Sequence, residues 1–182
     1  IYRNRGMVDE SRPLLARAVE LDPSFTMARY RLALTLIDTR DFDAAVGHLE
    51  RVVAEQPDHI GGRYNLARGY FRLRRVEEGR REMSAYRRLN AIAVELEERE
   101  AAVVMRPSSA LKQYELGMAY EKHGRHGPAR GAYTRALELD EDYADAHYRL
   151  GVLALRTGSA EESETHHRRA LALAPESVGL RV

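Results

Sequence analysis

The chain has 182 residues, 44% of them hydrophobic, with 29 Lys+Arg against 28 Asp+Glu and a formal net charge of +1, enough apolar content for one or two packed domains. It contains no Cys, which excludes a disulfide scaffold, Cys-ligated zinc, an iron–sulfur cluster and a thiol nucleophile, and leans toward an exported protein. No stretch approaches the roughly 18 consecutive apolar residues of a membrane span, and a near-zero net charge argues against a dedicated nucleic-acid binder.

In chain order the dominant signal is a period of 34 residues. Val19 and Pro23 are repeated at Val53 and Pro57, and Leu32 at Leu66. Further on, Tyr114, Leu116, Gly117 and Ala136 recur as Tyr148, Leu150, Gly151 and Ala170. With Thr26 as position 1, four full units cover 26–59, 60–93, 110–143 and 144–177. Position 5 is Tyr in all four (Tyr30, Tyr64, Tyr114, Tyr148), position 7 is Leu, position 8 is Ala or Gly, and position 20 is small (Ala45, Gly79, Ala129, Ser163). Within 144–177, Leu150, Gly151 and Ala154 recur at helical spacing, Thr157-Gly158-Ser159 breaks the pattern, and a second amphipathic run ends at Pro175. Each unit therefore reads as helix, turn, helix, and the small residues at positions 8, 20 and 27 let the two helices approach closely.

Residues 94–109 interrupt the period. Tyr86 replaces the small residue at position 27, Ala91 stands where Pro would stop the helix, and no Pro occurs from Val76 to Met105. The spacing predicts one helix over 76–105, about 45 Å long at 1.5 Å per residue, before Pro107, Ser108 and Ser109 give a stop and a new N-cap. The stripe Met83, Tyr86, Leu89, Ala93, Leu96 implies that the first turns of the extension pack, whereas Glu97-Glu98-Arg99-Glu100 reads as a solvated tip. The extension is either an irregular repeat that redirects the stack or a docking element in its own right.

The run from Ala110 to Leu139, with Leu116-Gly117, Tyr120, Ala129, Tyr133 and Ala136 at positions 7–8, 11, 20, 24 and 27, resembles the tetratricopeptide repeat (TPR) family, and the resemblance extends over essentially the whole chain. It departs mainly at Gln113 and at Glu141 in place of Pro. The resemblance implies an all-α fold, an α-α superhelix or solenoid of stacked antiparallel helix hairpins, because a single hairpin cannot bury its apolar face.

The resemblance also implies that positions 2, 5, 9, 12 and 13 line a concave groove. On this sequence the expected groove residues are Tyr30, Leu34, Tyr64, Asn65, Arg68, Phe71, Arg72, Tyr114, Met118 and Tyr148. That set reads as a tyrosine ladder on an apolar floor, positive at its centre. Unit 60–93 carries nine Arg against three Glu, a local +6, while the other full units are −1 or −2. Arg68 and Arg72, four residues apart on one helical face, could grip a carboxylate together. A carboxylate clamp of the kind some family members use is not supported, since only Asn65 at position 6 matches it.

The chain offers little for catalysis. His147 and His167, at positions 4 and 24, are expected to pack between the helices of one unit and to touch each other, and His123 and His126 are expected to be solvated beside the turn at Gly124. No third ligand completes a metal site, no Gly-rich loop cradles phosphate, and no Gly-x-Ser-x-Gly elbow is present. The expected function is a non-enzymatic scaffold binding a protein or peptide with an acidic segment, with no cofactor, no metal and no nucleic-acid partner. The alternative is an accessory domain of an enzyme whose catalytic part lies outside these residues. Tyr2, Gly6, Ser11 and Ala18 fall at positions 11, 15, 20 and 27 of an earlier unit and 178–182 would begin another, so a piece of a longer solenoid is expected.

Overall fold

The computed structural model describes residues 5–175, which form nine α-helices with none of the described residues in a strand. The expected repeat positions at Tyr2 and in 178–182 lie outside the described residues. The chain divides into two compact units, the first ending at Ala91 and the second beginning at Ile92. The first holds α1 (Arg5–Leu21), α2 (Thr26–Asp38), α3 (Phe42–Glu55), α4 (Ile60–Arg72) and the first part of α5 (Val76–Met105). The second holds the rest of α5, α6 (Ala110–Lys122), α7 (His126–Leu139), α8 (Ala144–Arg156) and α9 (Ala160–Leu173).

Every full hairpin turns in the same way. Position 15 takes a left-handed backbone, with φ of 63° at Arg40, 60° at Arg74, 71° at Gly124 and 80° at Gly158. The next N–H then reaches back to the carbonyl five residues earlier, Asp41 to Leu36, Arg75 to Tyr70, Arg125 to Tyr120 and Ser159 to Ala154, each at 2.9 Å. These bonds satisfy carbonyls left open at the end of the first helix and stop it. Gly takes this conformation freely, whereas Arg40 and Arg74 hold it at a cost of about 1 kcal/mol or more each. Side chains also cap the next helices: Ser109 Oγ accepts the Lys112 N–H at 3.3 Å, and His59 Nδ1 accepts the Gly62 N–H at 2.8 Å.

Inside each hairpin, positions 8 and 24 are matched in size. A Cβ on Gly117 would lie 2.4 Å from the Tyr133 ring, and one on Gly151 would lie 2.8 Å from the His167 ring. Where position 8 is Ala, as in Ala33, position 24 is the aliphatic Leu49 and both are fully buried in one cluster. Ring against glycine and aliphatic against alanine are two solutions to the same close packing.

In three of the four full units the side chain at position 4 ties the hairpin to the preceding repeat. Arg29 donates to the Pro23 carbonyl, Arg63 Nε to the Pro57 carbonyl at 2.7 Å, and His147 Nε2 lies 3.0 Å from the Glu141 carbonyl. In each case the acceptor is six residues earlier, at the end of the preceding repeat. The two arginines are further held by Glu55 and, at 2.6 Å, by Glu82.

Two expectations from the sequence are corrected, and one is borne out with an addition. Along the extension of α5, Leu96 is buried and Glu97, Glu98, Arg99 and Glu100 are exposed, as are Val104 and Met105. From that exposed stretch Arg99 lies 3.4 Å from Glu115 and Glu100 accepts from the Tyr120 hydroxyl at 2.5 Å. His147 meets His166, not His167, with the two Nδ1 atoms 3.0 Å apart, while His167 fills the space at Gly151 and stacks edge-on to Tyr148. Nor is His123 solvated, since its Nε2 lies 2.9 Å from Glu95 in a largely enclosed position.

Candidate peptide-binding faces

In the first unit the expected groove residues separate into buried and exposed sets. Asn65 is buried and its amide donates to the Gly61 carbonyl at 2.9 Å and to the Tyr30 hydroxyl at 3.2 Å. Tyr30, half-buried, also stacks on His59 with ring centroids 4.5 Å apart. Both residues are therefore committed to joining α2 to α4, and Leu34 is half-buried beside them.

The exposed set is one face of α4. Tyr64 is 37% exposed and Phe71 40%, and Arg68 and Arg72 are exposed with them at i, i+4, i+7 and i+8. Tyr64 leans on Tyr86 of α5 at 5.0 Å between centroids. Phe71 fills the space left by Gly79, where a Cβ would lie 2.6 Å from its ring. Both rings are thus fixed from behind, with one edge turned to solvent. Arg68 lies over Tyr64 at 5.5 Å and Arg72 over Phe42 at 6.0 Å, so the guanidiniums are braced by rings rather than by carboxylates.

The local charge of unit 60–93 resolves in the same terms. Its three glutamates are all spent on arginines of the same unit: Glu82 on Arg63, Glu78 on Arg75, Glu77 on Arg80. Arg68, Arg72, Arg74, Arg81, Arg87 and Arg88 are left exposed, and among the described residues none of them has a carboxylate within ion-pair distance.

The second unit contains a cleft of about 600 Å³ between the second half of α5, α6 and α8, with Met118 and Ala119 among its lining residues. Its rim is charged: Lys122 pairs with Glu95 at 2.8 Å and Arg149 with Glu121 at 3.7 Å. Lys122, followed by His123, holds the Glu95 carboxyl below the usual carboxylate range. Arg156 also lines the cleft, and its guanidinium meets His126 Nε2 at 3.4 Å. Met118 is 40% exposed, whereas Tyr114 is buried against Tyr133 and Tyr143 at 5.6 and 5.1 Å. Tyr148 is half-buried. Of the four position-5 tyrosines, Tyr64 is the exposed one. Glu95 and Arg99 are cleft residues that the repeat register had not identified.

Among the described residues no group of three or more His, Asp or Glu is placed to hold a metal ion, and no helix is long and apolar enough to cross a membrane. Tandem helix hairpins with a shared turn geometry, a matched close-packed pair inside each hairpin and exposed side chains on the first helices define a helical-repeat protein of the interaction class. The sequence model of the tetratricopeptide repeat matches residues 1–60, 30–91 and 114–178, and the chain belongs to that family. Residues 92–113, which include the second half of α5, fall outside those matches.

Among curated proteins the chain is similar to the photosystem I assembly protein Ycf3 of Acaryochloris marina (strain MBIC 11017), at 35% identity over 72 residues. That match covers 38% of this chain and 43% of the relative's length. Among solved structures, YrrB, described as a TPR protein with an unusual peptide-binding site, aligns over 90% of this chain and 94% of its own at 15% identity and a TM-score of 0.45. TTC0263, a TPR protein of Thermus thermophilus, aligns over 97% of this chain and 88% of its own at 26% identity and a TM-score of 0.44.

Proposed function

We propose that the protein is a non-enzymatic scaffold that holds an extended segment of a partner protein against the exposed face of α4, with an acidic side chain of that segment seated between Arg68 and Arg72. One observation carries the reading: two exposed arginines, one turn apart and braced on aromatic rings, have no carboxylate of their own among the described residues. The flanking Tyr64 and Phe71 give apolar surface for neighbouring side chains of the segment, and peptide grooves of this kind combine such anchors with a few charged contacts. The cleft in the second unit offers a comparable pairing of Met118 with Arg156 and is assigned a contact with another part of the partner.

The test is an array of random peptides probed with the wild-type chain and with Arg68→Glu/Arg72→Glu. The expected result is enrichment of peptides with Asp or Glu next to an aromatic or aliphatic residue, lost in the double variant. Enrichment that is indifferent to the double substitution, or no acidic preference at all, overturns the assignment of α4.

A further inference from the structure

The arginines left over in unit 60–93 do not all belong to the face of α4. In the part of α5 that lies in the first unit, the exposed residues are Val76, Glu77, Arg80, Arg81, Ser84, Arg87, Arg88 and Ala91, and the residues between them are half-buried or buried. At 100° per residue these positions occupy one continuous arc of the helix. Its only carboxylate, Glu77, is taken by Arg80 at 2.8 Å, and both side chains are about 70% exposed. The second helices of the other hairpins are different: the exposed residues of α3 include Asp43, Glu50, Arg51 and Glu55, and those of α9 include Glu161, Glu164, Arg168 and Arg169. A face with four arginines against one glutamate occurs on α5 and not on α3 or α9, so it is not a general consequence of an arginine-rich composition.

The face also has a register. Arg80-Arg81 and Arg87-Arg88 are two adjacent pairs seven residues apart, which separates them by about 10.5 Å along the helix. Between and beyond them stand Ser84 and Ala91, small enough for another backbone to approach. A helix with paired carboxylates at the same seven-residue spacing presents its charges at the same rise and on one side. An extended polyanion has no reason to prefer that spacing.

We propose that this face of α5 is a second docking surface, separate from the face of α4, and that its occupant is an acidic α-helix of a partner protein bearing carboxylate pairs seven residues apart. Arginine suits the role because its planar fork engages carboxylates in two directions at once. Long-range attraction between the two faces speeds encounter and makes binding sensitive to salt.

The experiment uses the full chain and three fluorescent probes at low and physiological salt. These are a helical peptide with Glu-Glu pairs seven residues apart, a peptide of the same composition with the pairs five residues apart, and a single-stranded RNA of equal charge. Binding is measured by anisotropy for the wild type, Arg81→Glu/Arg88→Glu and Arg68→Glu/Arg72→Glu, each checked for an unchanged circular-dichroism melt; Arg81→Gln/Arg88→Gln serves if the reversal melts early. The expected result is that the seven-spaced peptide binds best, that the α5 variant weakens it by about tenfold or more, and that the α4 variant, which removes the same amount of positive charge elsewhere, weakens it less than the α5 variant does. Equal binding of the two peptides, tighter binding of the RNA, or a larger loss in the α4 variant overturns the proposal.

Discussion

Glu100 accepts a hydrogen bond from the Tyr120 hydroxyl at 2.5 Å, and Glu50 accepts one from the Tyr70 hydroxyl at 2.7 Å. In both pairs the acceptor precedes the tyrosine by twenty residues, and four residues before the acceptor stands a buried aliphatic side chain, Leu96 or Val46. The second half of α5 therefore repeats toward α6 a hydrogen bond that α3 makes with α4. In both pairs burial and the neighbouring carboxylate act together to push the tyrosine hydroxyl above its usual pKa, the carboxylate bond dominating at Tyr120 and burial at Tyr70.

The equivalence predicts unequal energies. Tyr70 is buried and Tyr120 half-buried, so Tyr70→Phe is expected to cost more than Tyr120→Phe, with a net loss of about 1 kcal/mol for the weaker pair. Urea unfolding of Glu100→Ala, Tyr120→Phe and the double variant measures the coupling. A coupling of zero would mean that the extension of α5 does not engage α6 in solution.

Gly117 and Tyr133 test the matched pair inside a hairpin. A Cβ at Gly117 meets the ring at 2.4 Å, so Gly117→Ala is expected to destabilise by about 1–3 kcal/mol through overpacking. Adding Tyr133→Leu recreates the combination of Ala33 and Leu49. The double variant is expected to recover part of the loss, less the bond that Tyr133 gives Glu121 at 2.8 Å. Thermal melting of the two variants checks both signs.

Arg40 and Arg74 hold a left-handed backbone at the position where Gly124 and Gly158 stand in the other hairpins. Arg40→Gly is expected to raise stability by about 0.5–1 kcal/mol, because the steric cost of a Cβ at positive φ disappears. A shift of the melting temperature upward by a few degrees is the readout.

The His147–His166 contact makes stability depend on pH. His147 Nε2 faces the Glu141 carbonyl and so carries the proton, which leaves its Nδ1 to accept from His166 Nδ1 at 3.0 Å. Burial, then the neighbouring His147, pulls the His166 pKa below its ordinary value. Burial does the same to His48. Between the lowered folded value and the usual value near 6.5, the unfolded chain binds more protons than the folded one. Stability is therefore complete above about pH 6.5 and is lost as the pH falls through that window. Urea midpoints measured at mildly alkaline and then mildly acidic pH should drop less steeply for His166→Phe than for the wild type.

The hairpins were legible in the sequence because small residues, Leu at position 7 and the turn breakers recur at a fixed period. The roles of individual site residues were less so. Four tyrosines at one register position look equivalent, yet Tyr114 is enclosed by Tyr133 and Tyr143 and Tyr30 is tied to Asn65, because the residues across the interface differ from unit to unit. Glu95 and Arg99 were passed over because no repeat position applies to 94–109. A signal was available in the twenty-residue spacing of Glu50 and Tyr70, which recurs at Glu100 and Tyr120.

The central claim is that α4 presents a receptor face for an acidic segment. It is tested most directly by mapping NMR chemical-shift changes on the labelled chain as the best peptide from the array is added. Shifts concentrated at Tyr64, Arg68, Phe71 and Arg72, absent with the Arg68→Glu/Arg72→Glu chain, are the predicted result. Shifts confined to α1 or α9, with α4 unperturbed at saturation, would contradict it.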